Sequence, residues 1–223
     1  MWRRLKAVAS MATACLAATA AAAQTKPEVG SFRISGVGFE MPAPPGYCLP
    51  KGKDVDVAQL LAAGDTQNVT HLTLVRCSAD SPNDYILVKT PTGALLADVG
   101  REDALKALAA AFDEPALKDK FSSGKILAEA GEAISGTLHR KVDITGEVKP
   151  AGRDEACAYM GGTTDVKAPE TSYRVSVGGC ITAVGRRIVS LFVYGPDKGA
   201  SGVTALLGRA RQLMETIRVV PAG

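Results

Sequence analysis

The 223-residue chain carries 26 Lys and Arg against 23 Asp and Glu, which gives a formal charge of +3. Its first 23 residues hold three of those cations and no carboxylate, so the rest of the chain is formally neutral. Because a protein that neutralises phosphates needs a basic surplus gathered on one face, this balance argues against nucleic acid as a partner.

The N-terminus has the pattern of a secretory signal peptide. Arg3, Arg4 and Lys6 form a basic head, which a run of small and apolar residues follows. This pattern predicts a signal that is cleaved between Ala23 and Gln24. A membrane anchor is the alternative, but a spanning helix needs about 20 strongly apolar residues and this run is mainly Ala, Ser and Thr. We expect general secretion to the periplasm, with release from the cell as an alternative.

Two variants of this signal, residues 1–23, stay open. Lipidation at Cys15 would leave an apolar core of only Ala7–Met11, shorter than the usual ~7 to 15 residues. Twin-arginine export through Arg3-Arg4 is the other variant, although the flanking residues match the extended signal poorly. Removal of the signal also removes Trp2, the only tryptophan. Binding of sugars or bases by aromatic stacking therefore loses most of its support.

The next segment is expected to begin with a loose leader at residues 24–30, followed by a single domain at residues 31–223. Alternating apolar residues predict one strand over residues 31–41, which the prolines of residues 42–45 end. After it, the sequence predicts a short helix over Asp56–Gly64, with the aspartate as its N-terminal cap and the glycine as its terminator.

The middle of the chain changes from strand to helix patterns. Residues 69–90 predict a hairpin. Apolar residues at helical spacing then predict a helix that begins at Glu102 and is broken by Pro115. A second helical stretch covers residues 118–130 and is interrupted by Gly124.

The last third predicts strands and a closing helix. Residues 138–148 alternate as a strand with one solvated face, which includes His139. Residues 173–194 form a long hairpin around Gly185-Arg186, a pair suited to a tight turn. Residues 203–217 then carry the apolar stripe of an amphipathic helix. Runs of strands without regular strand–helix alternation predict an α+β domain, in which helices, including this C-terminal one, cover an antiparallel sheet.

Four cysteines remain after the signal: Cys48, Cys77, Cys157 and Cys180. An even set in an oxidising compartment predicts a framework of two disulfides. Residues 153–164 and 173–184 are expected to form two paired strands joined by a loop at residues 165–172. Folding the chain about the middle of this loop places Cys157 opposite Cys180. Cys48 and Cys77 are then expected to pair with each other. Free buried cysteines are the alternative. A zinc site is not predicted, because the sequence has no C-x-x-C or H-x-x-x-H spacing.

A short motif carries a resemblance. Pro44-Pro45-Gly46-Tyr47-Cys48, followed by a helix with Leu60-Leu61, by Asn68 and by a strand ending at Cys77, resembles uncharacterised exported proteins of proteobacteria. The wider order of elements is similar to that of Mog1/PsbP-type α/β/α sandwich domains, although Tyr47 stands where those proteins often carry tryptophan. That resemblance implies a non-catalytic binding or assembly role.

The candidate catalytic residues are few. His71 shares a predicted strand face with Val69 and Val75, which favours a half-buried structural side chain. His139 is about 13 Å from Asp143 along a strand, too far for a dyad. Gly178-Gly179 is expected to mark a bulge or a close packing contact. No G-x-S-x-G elbow, P-loop or H-E-x-x-H pattern occurs in the sequence.

We therefore expect an exported periplasmic protein that acts as a non-catalytic binding or interaction module, with no catalytic, cofactor-binding or metal-ligating residue. Its partner is expected to be an envelope protein or a small ligand, without membrane contact; the basic residues Arg209, Arg211 and Arg218 beside the last apolar stripe are interpreted as a solvated helix face. One alternative is an envelope hydrolase of unfamiliar type that uses His71. Another is a secreted or surface factor that acts on a host or a membrane.

Overall fold

The computed structural model describes residues 27–78, 83–122 and 124–221. The predicted signal peptide and its cleavage site lie outside these residues, as do Gln24–Lys26 of the predicted leader. The strands are β1 (Val29–Ile34), β2 (Val37–Pro42), β3 (Tyr47–Cys48), β4 (Asn68–Arg76), β5 (Tyr85–Pro91), β6 (Asp143–Arg153), β7 (Ala158–Ala168), β8 (Thr171–Val184), β9 (Arg187–Pro196) and β10 (Arg218–Val220). The helices are α1 (Lys53–Ala63), α2 (Arg101–Asp113), α3 (Pro115–Ser122), α4 (Lys125–Leu138) and α5 (Gly199–Met214), with a single 3-10 turn at Thr92–Ala94.

The α+β class predicted from the sequence is confirmed. Seven strands form an antiparallel sheet in the order β3-β4-β5-β9-β8-β7-β6, and a smaller antiparallel sheet has the order β1-β2-β10. One face of the large sheet packs on the small sheet and α5, in a core that includes Phe39, Leu191 and Met214. The opposite face packs on α2 through Met160 and Ile181. Helices and the small sheet therefore cover both faces of the large sheet.

The single strand predicted over residues 31–41 is wrong. The chain turns at Ser35-Gly36, where both residues have positive φ angles (45° and 85°), and returns as β2. Phe32 pairs with Phe39 across this hairpin, with ring centroids 5.3 Å apart. Because the apolar alternation continues on both sides of a two-residue turn, period two alone could not reveal it.

Two boundaries in the helical region also differ from prediction. Helix α1 begins at Lys53, so Asp56 lies in its first turn instead of capping it, whereas Gly64 ends it as predicted. Helix α4 runs to Leu138, and His139 ends it with a left-handed backbone instead of lying on a strand face. The apolar spacing of α4 and the apolar alternation of β6 follow each other closely in the sequence. The pattern therefore does not show where the helix ends and the strand begins.

The late hairpin is confirmed, with Gly185 and Arg186 both at positive φ. The register of β8 runs through Gly178 and Gly179 without a shift, so these residues mark close packing and no bulge. A Cβ on Gly178 would lie 2.5 Å from the backbone of Leu206 in α5. Glycine at this position allows α5 to approach the sheet closely.

The end of the chain departs from the predicted helix. Helix α5 ends at Met214, and the chain then adds strand β10 to the small sheet, so Arg218 is an exposed strand residue. Ile217 lies between the two elements and is buried, which explains why it fitted the apolar stripe of the helix.

The structure forms both predicted disulfide pairs, Cys48–Cys77 and Cys157–Cys180, with Cα atoms 5.1 and 5.2 Å apart. The register argument behind the second pair is wrong by two residues. The predicted loop over residues 165–172 is really a short turn between β7 and β8, and Tyr159 is the residue opposite Cys180. Cys157 precedes β7 and reaches Cys180 diagonally.

The Asp154 carboxylate orders the turn that places Cys157. Its Oδ1 accepts the backbone N–H groups of Ala156 (2.8 Å) and Cys157 (2.9 Å). Its Oδ2 accepts the Tyr159 hydroxyl (2.7 Å) and Arg211 Nη1 (2.9 Å). Burial alone would raise the pKa of Asp154, but these hydrogen bonds and Arg211 hold it below its usual value. Arg211 is therefore an ion-paired link between α5 and the sheet, which corrects its interpretation as a solvated side chain.

Candidate functional site

His71 lies in a packed environment. Its ring stacks on Phe32 with centroids 5.8 Å apart, and burial lowers its pKa. Nε2 is 3.0 Å from Thr90 Oγ1, whose own proton goes to the carbonyl oxygen of Ile188. Nε2 therefore donates to Thr90. Within the described residues no carboxylate hydrogen-bonds to His71, so the structure favours the half-buried structural interpretation.

A second cluster surrounds Lys89, the only buried charged residue in the described part of the chain. Its Nζ lies 2.5 Å from Asp65 Oδ2 and 4.9 Å from the centre of the Phe192 ring. Burial works against the charged form, but Tyr194 and Asp65 outweigh it and raise the pKa of Lys89. Asn68 Nδ2 donates to the other oxygen of Asp65, at 2.7 Å.

Sequence reasoning missed the Lys89 cluster. Its only local signal is a lysine inside the apolar strand Tyr85–Pro91, because Asp65 precedes β4 and meets Lys89 only after the sheet forms. The ion pair joins the segment after α1 to the sheet. We interpret this pair as structural.

Tyr47 of the proline-rich motif is the centre of a third cluster. The ring is 3% exposed, and the guanidinium carbons of Arg76 and Arg209 lie 5.1 and 4.6 Å from its centroid. Its hydroxyl donates to Asp84. Burial, aided by this hydrogen bond, raises the pKa of Tyr47 to about 12. Arg209 is thus packed on an aromatic ring, which corrects its interpretation as a solvated residue.

A groove of about 390 Å³ opens between α2, α3 and the β6–β7 hairpin. Pro115 ends α2 and starts α3, so the two helices meet at an angle that brings Phe112 and Phe121 together edge to face, at 6.3 Å. The apolar lining consists of Ala109, Phe112, Phe121, Pro150 and Ala158. The remaining lining residues are Asp113, Lys118, Glu147, Lys149, Gly152 and Arg153.

The sequence indicated one wall of this groove and missed the other. The apolar helix predicted from Glu102 and its break at Pro115 form the helical wall, where Phe112 lies on the last turn of α2. The second wall was missed because strand β6 was predicted to end at residue 148, whereas it continues to Arg153. The groove thus combines an apolar floor with a charged rim, a combination found in small-ligand sites.

In residues 27–78, 83–122 and 124–221, no three His, Cys, Asp or Glu side chains are grouped so that they could hold a metal ion. None of the helices in these ranges has both the length and the apolar content needed to cross a membrane.

No protein-family model and no curated protein matches the chain. Among solved structures, the solution structure of cyanobacterial PsbP (CyanoP) from Synechocystis sp. PCC 6803 is similar over 89% of this chain and 96% of that chain, with 9% sequence identity and a TM-score of 0.39. This PsbP-like similarity is weak.

Proposed function

We propose that the protein is a binding module whose small-molecule ligand occupies the groove between α2, α3 and the β6–β7 hairpin. The observation that carries this proposal is the apolar floor of the groove, where Phe112 and Phe121 remain accessible to solvent beside Ala158. Apolar surface gathered in a concavity of several hundred Å³ is typical of ligand sites. The charged residues at the rim would orient a bound molecule.

The edge of the large sheet favours a small ligand over an added strand. Strand β6 is one of the two edge strands of this sheet, and its exposed side chains include the ion pair Lys149–Glu147, with 3.0 Å between the charged atoms. Pro150 lacks an N–H group, and Gly146 and Gly152 have positive φ angles that distort the strand. Charges, proline and distortion are the features that protect sheet edges against pairing with another chain.

Filling the groove is expected to weaken ligand binding strongly. The probe is N-phenyl-1-naphthylamine, a neutral aromatic molecule whose fluorescence rises in apolar sites. Ala109→Trp projects an indole into the lining, and we expect it to weaken binding by about tenfold or more, since the ring occupies the space of the probe. Equilibrium fluorescence titration measures the dissociation constant.

The matched control is Ala110→Trp, which adds the same ring to an exposed position of α2 outside the lining. It should bind the probe like the wild type. Equal binding by both variants, or no binding by the wild-type protein, would contradict the proposed groove function.

We also propose that the module works in the periplasm after export. The basic head, the apolar run and the even set of cysteines support this location, because disulfides persist in oxidising compartments. We expect the intact mass of protein from osmotic-shock fluid to match a chain that begins at Gln24 and has lost four hydrogens to two disulfides. An uncleaved chain in the cytosolic fraction, a lipidated Cys15, or protein found only in the culture medium would contradict it.

A further inference from the structure

The end of β6 contains a bulge that reverses the side-chain alternation of the strand. Lys149 pairs with Gly161, where a Cβ would meet Val203 and Leu207 of α5, so Lys149 lies on the α5 face of the sheet. The register then shifts between Pro150 and Arg153. One extra residue in β6 causes this shift, and Gly152 accommodates it with a φ of 95°.

The extra residue moves Arg153 to the groove face. In a regular strand, Arg153 would share a face with Lys149, four residues earlier. Instead it pairs with Ala158. Ala158 lies two residues before Met160 and therefore on the same face of the sheet, and Met160 belongs to the core beneath α2. The bulge therefore brings an arginine to the groove in a strand whose alternation would otherwise direct it away.

The charges around the groove leave Arg153 uncompensated. The other two cations of the lining are paired, Lys118 with Asp113 at 3.1 Å and Lys149 with Glu147 at 3.0 Å. Arg153 is exposed at the rim and forms no ion pair with any described residue. A guanidinium presents paired N–H donors that match the oxygens of a carboxylate or a similar oxyanion.

We propose that the groove binds a small amphiphilic monoanion, with its apolar body against Phe112 and Phe121 and its oxyanion on Arg153. This inference rests on the proposed function and specifies its ligand class. The inference requires that the protein bind a ligand with one negative charge more tightly than its neutral counterpart. Replacing Arg153 with a neutral residue must remove this difference in affinity.

Two probes that differ by one sulfonate group test the inference: 8-anilinonaphthalene-1-sulfonate and its neutral counterpart N-phenyl-1-naphthylamine. The wild-type protein should bind the sulfonate more tightly. Arg153→Gln should weaken sulfonate binding by about tenfold, which corresponds to the loss of about 1.4 kcal/mol, and leave binding of the neutral probe unchanged. Lys106→Gln removes the same charge from an exposed position of α2 outside the lining and should change neither constant appreciably in physiological salt.

The outcomes separate the inference from the proposed function. In one outcome, the wild-type protein binds the neutral probe and Ala109→Trp weakens this binding, but Arg153→Gln leaves sulfonate binding unchanged or weakens the binding of both probes equally. The proposed ligand class is then wrong, and the proposed groove function stands. If neither probe binds to the wild-type protein, both proposals fail. A sulfonate preference that Lys106→Gln removes as effectively as Arg153→Gln would reflect general charge attraction and also overturn the inference.

Discussion

Replacing Asp65 with alanine is expected to lower the free energy of unfolding by about 3–5 kcal/mol, because it leaves a buried ammonium without its counter-ion. The Lys89 side chain is only 7% exposed, and its Nζ lies 2.5 Å from the lost carboxylate. The hydrogen bond from Asn68 to Asp65 is lost as well. Urea unfolding at neutral pH, followed by circular dichroism, measures the change.

Two further variants show whether burial causes this effect. Asp113→Ala breaks the ion pair between Asp113 and Lys118, whose side chains are 83% and 58% exposed, respectively. It should lower the free energy of unfolding by less than about 1 kcal/mol. Combining Asp65→Leu with Lys89→Met replaces the buried pair by apolar groups and should restore most of the stability lost by Asp65→Ala. Similar losses for Asp65→Ala and Asp113→Ala would show that the Lys89 cluster is not desolvated in solution.

Removing the Cys157–Cys180 bridge by a double alanine substitution is expected to destabilise the fold by about 3 kcal/mol, because the unfolded chain gains the freedom of an open loop. The bridge spans 23 residues, and both cysteines are almost fully buried. The Cys48–Cys77 bridge spans 29 residues, so its removal should cost a similar amount, since loop entropy depends weakly on length. Chemical unfolding under non-reducing conditions measures both losses.

Peptide mapping without reduction is the control for the pairing itself. It should recover peptides that join Cys48 to Cys77 and Cys157 to Cys180. A link between Cys48 and either Cys157 or Cys180 would contradict the pairing. Unchanged stability in both double-alanine variants would show that the bridges do not constrain the unfolded chain.

The sequence predicted the features that rest on local signals. The turn at Gly185-Arg186 follows from a glycine at the first position of a two-residue loop, and the break at Pro115 follows from a missing N–H group and a steric clash. Both disulfide pairs were also predicted, although the register used for Cys157 was two residues in error. The error had no effect on the pairing, because a shift of two residues keeps the side chain on the same face.

The missed features depend on contacts between distant segments or on a single inserted residue. Asp65 and Lys89 are 24 residues apart and have no shared local pattern. Arg153 was missed as a groove residue because it was predicted to begin the strand over residues 153–164, whereas it ends β6 after the bulge at Gly152. Both features belong to tertiary structure, which overrides periodicity.

The most direct test of the groove as a binding site is a two-dimensional amide NMR titration of the ¹⁵N-labelled protein with N-phenyl-1-naphthylamine. We expect saturable shifts concentrated at Ala109, Phe112, Phe121 and Ala158, the residues of the apolar floor. Shifts centred instead on the surface around Tyr47, or the absence of saturable shifts at any site, would contradict the assignment of this groove as the binding site.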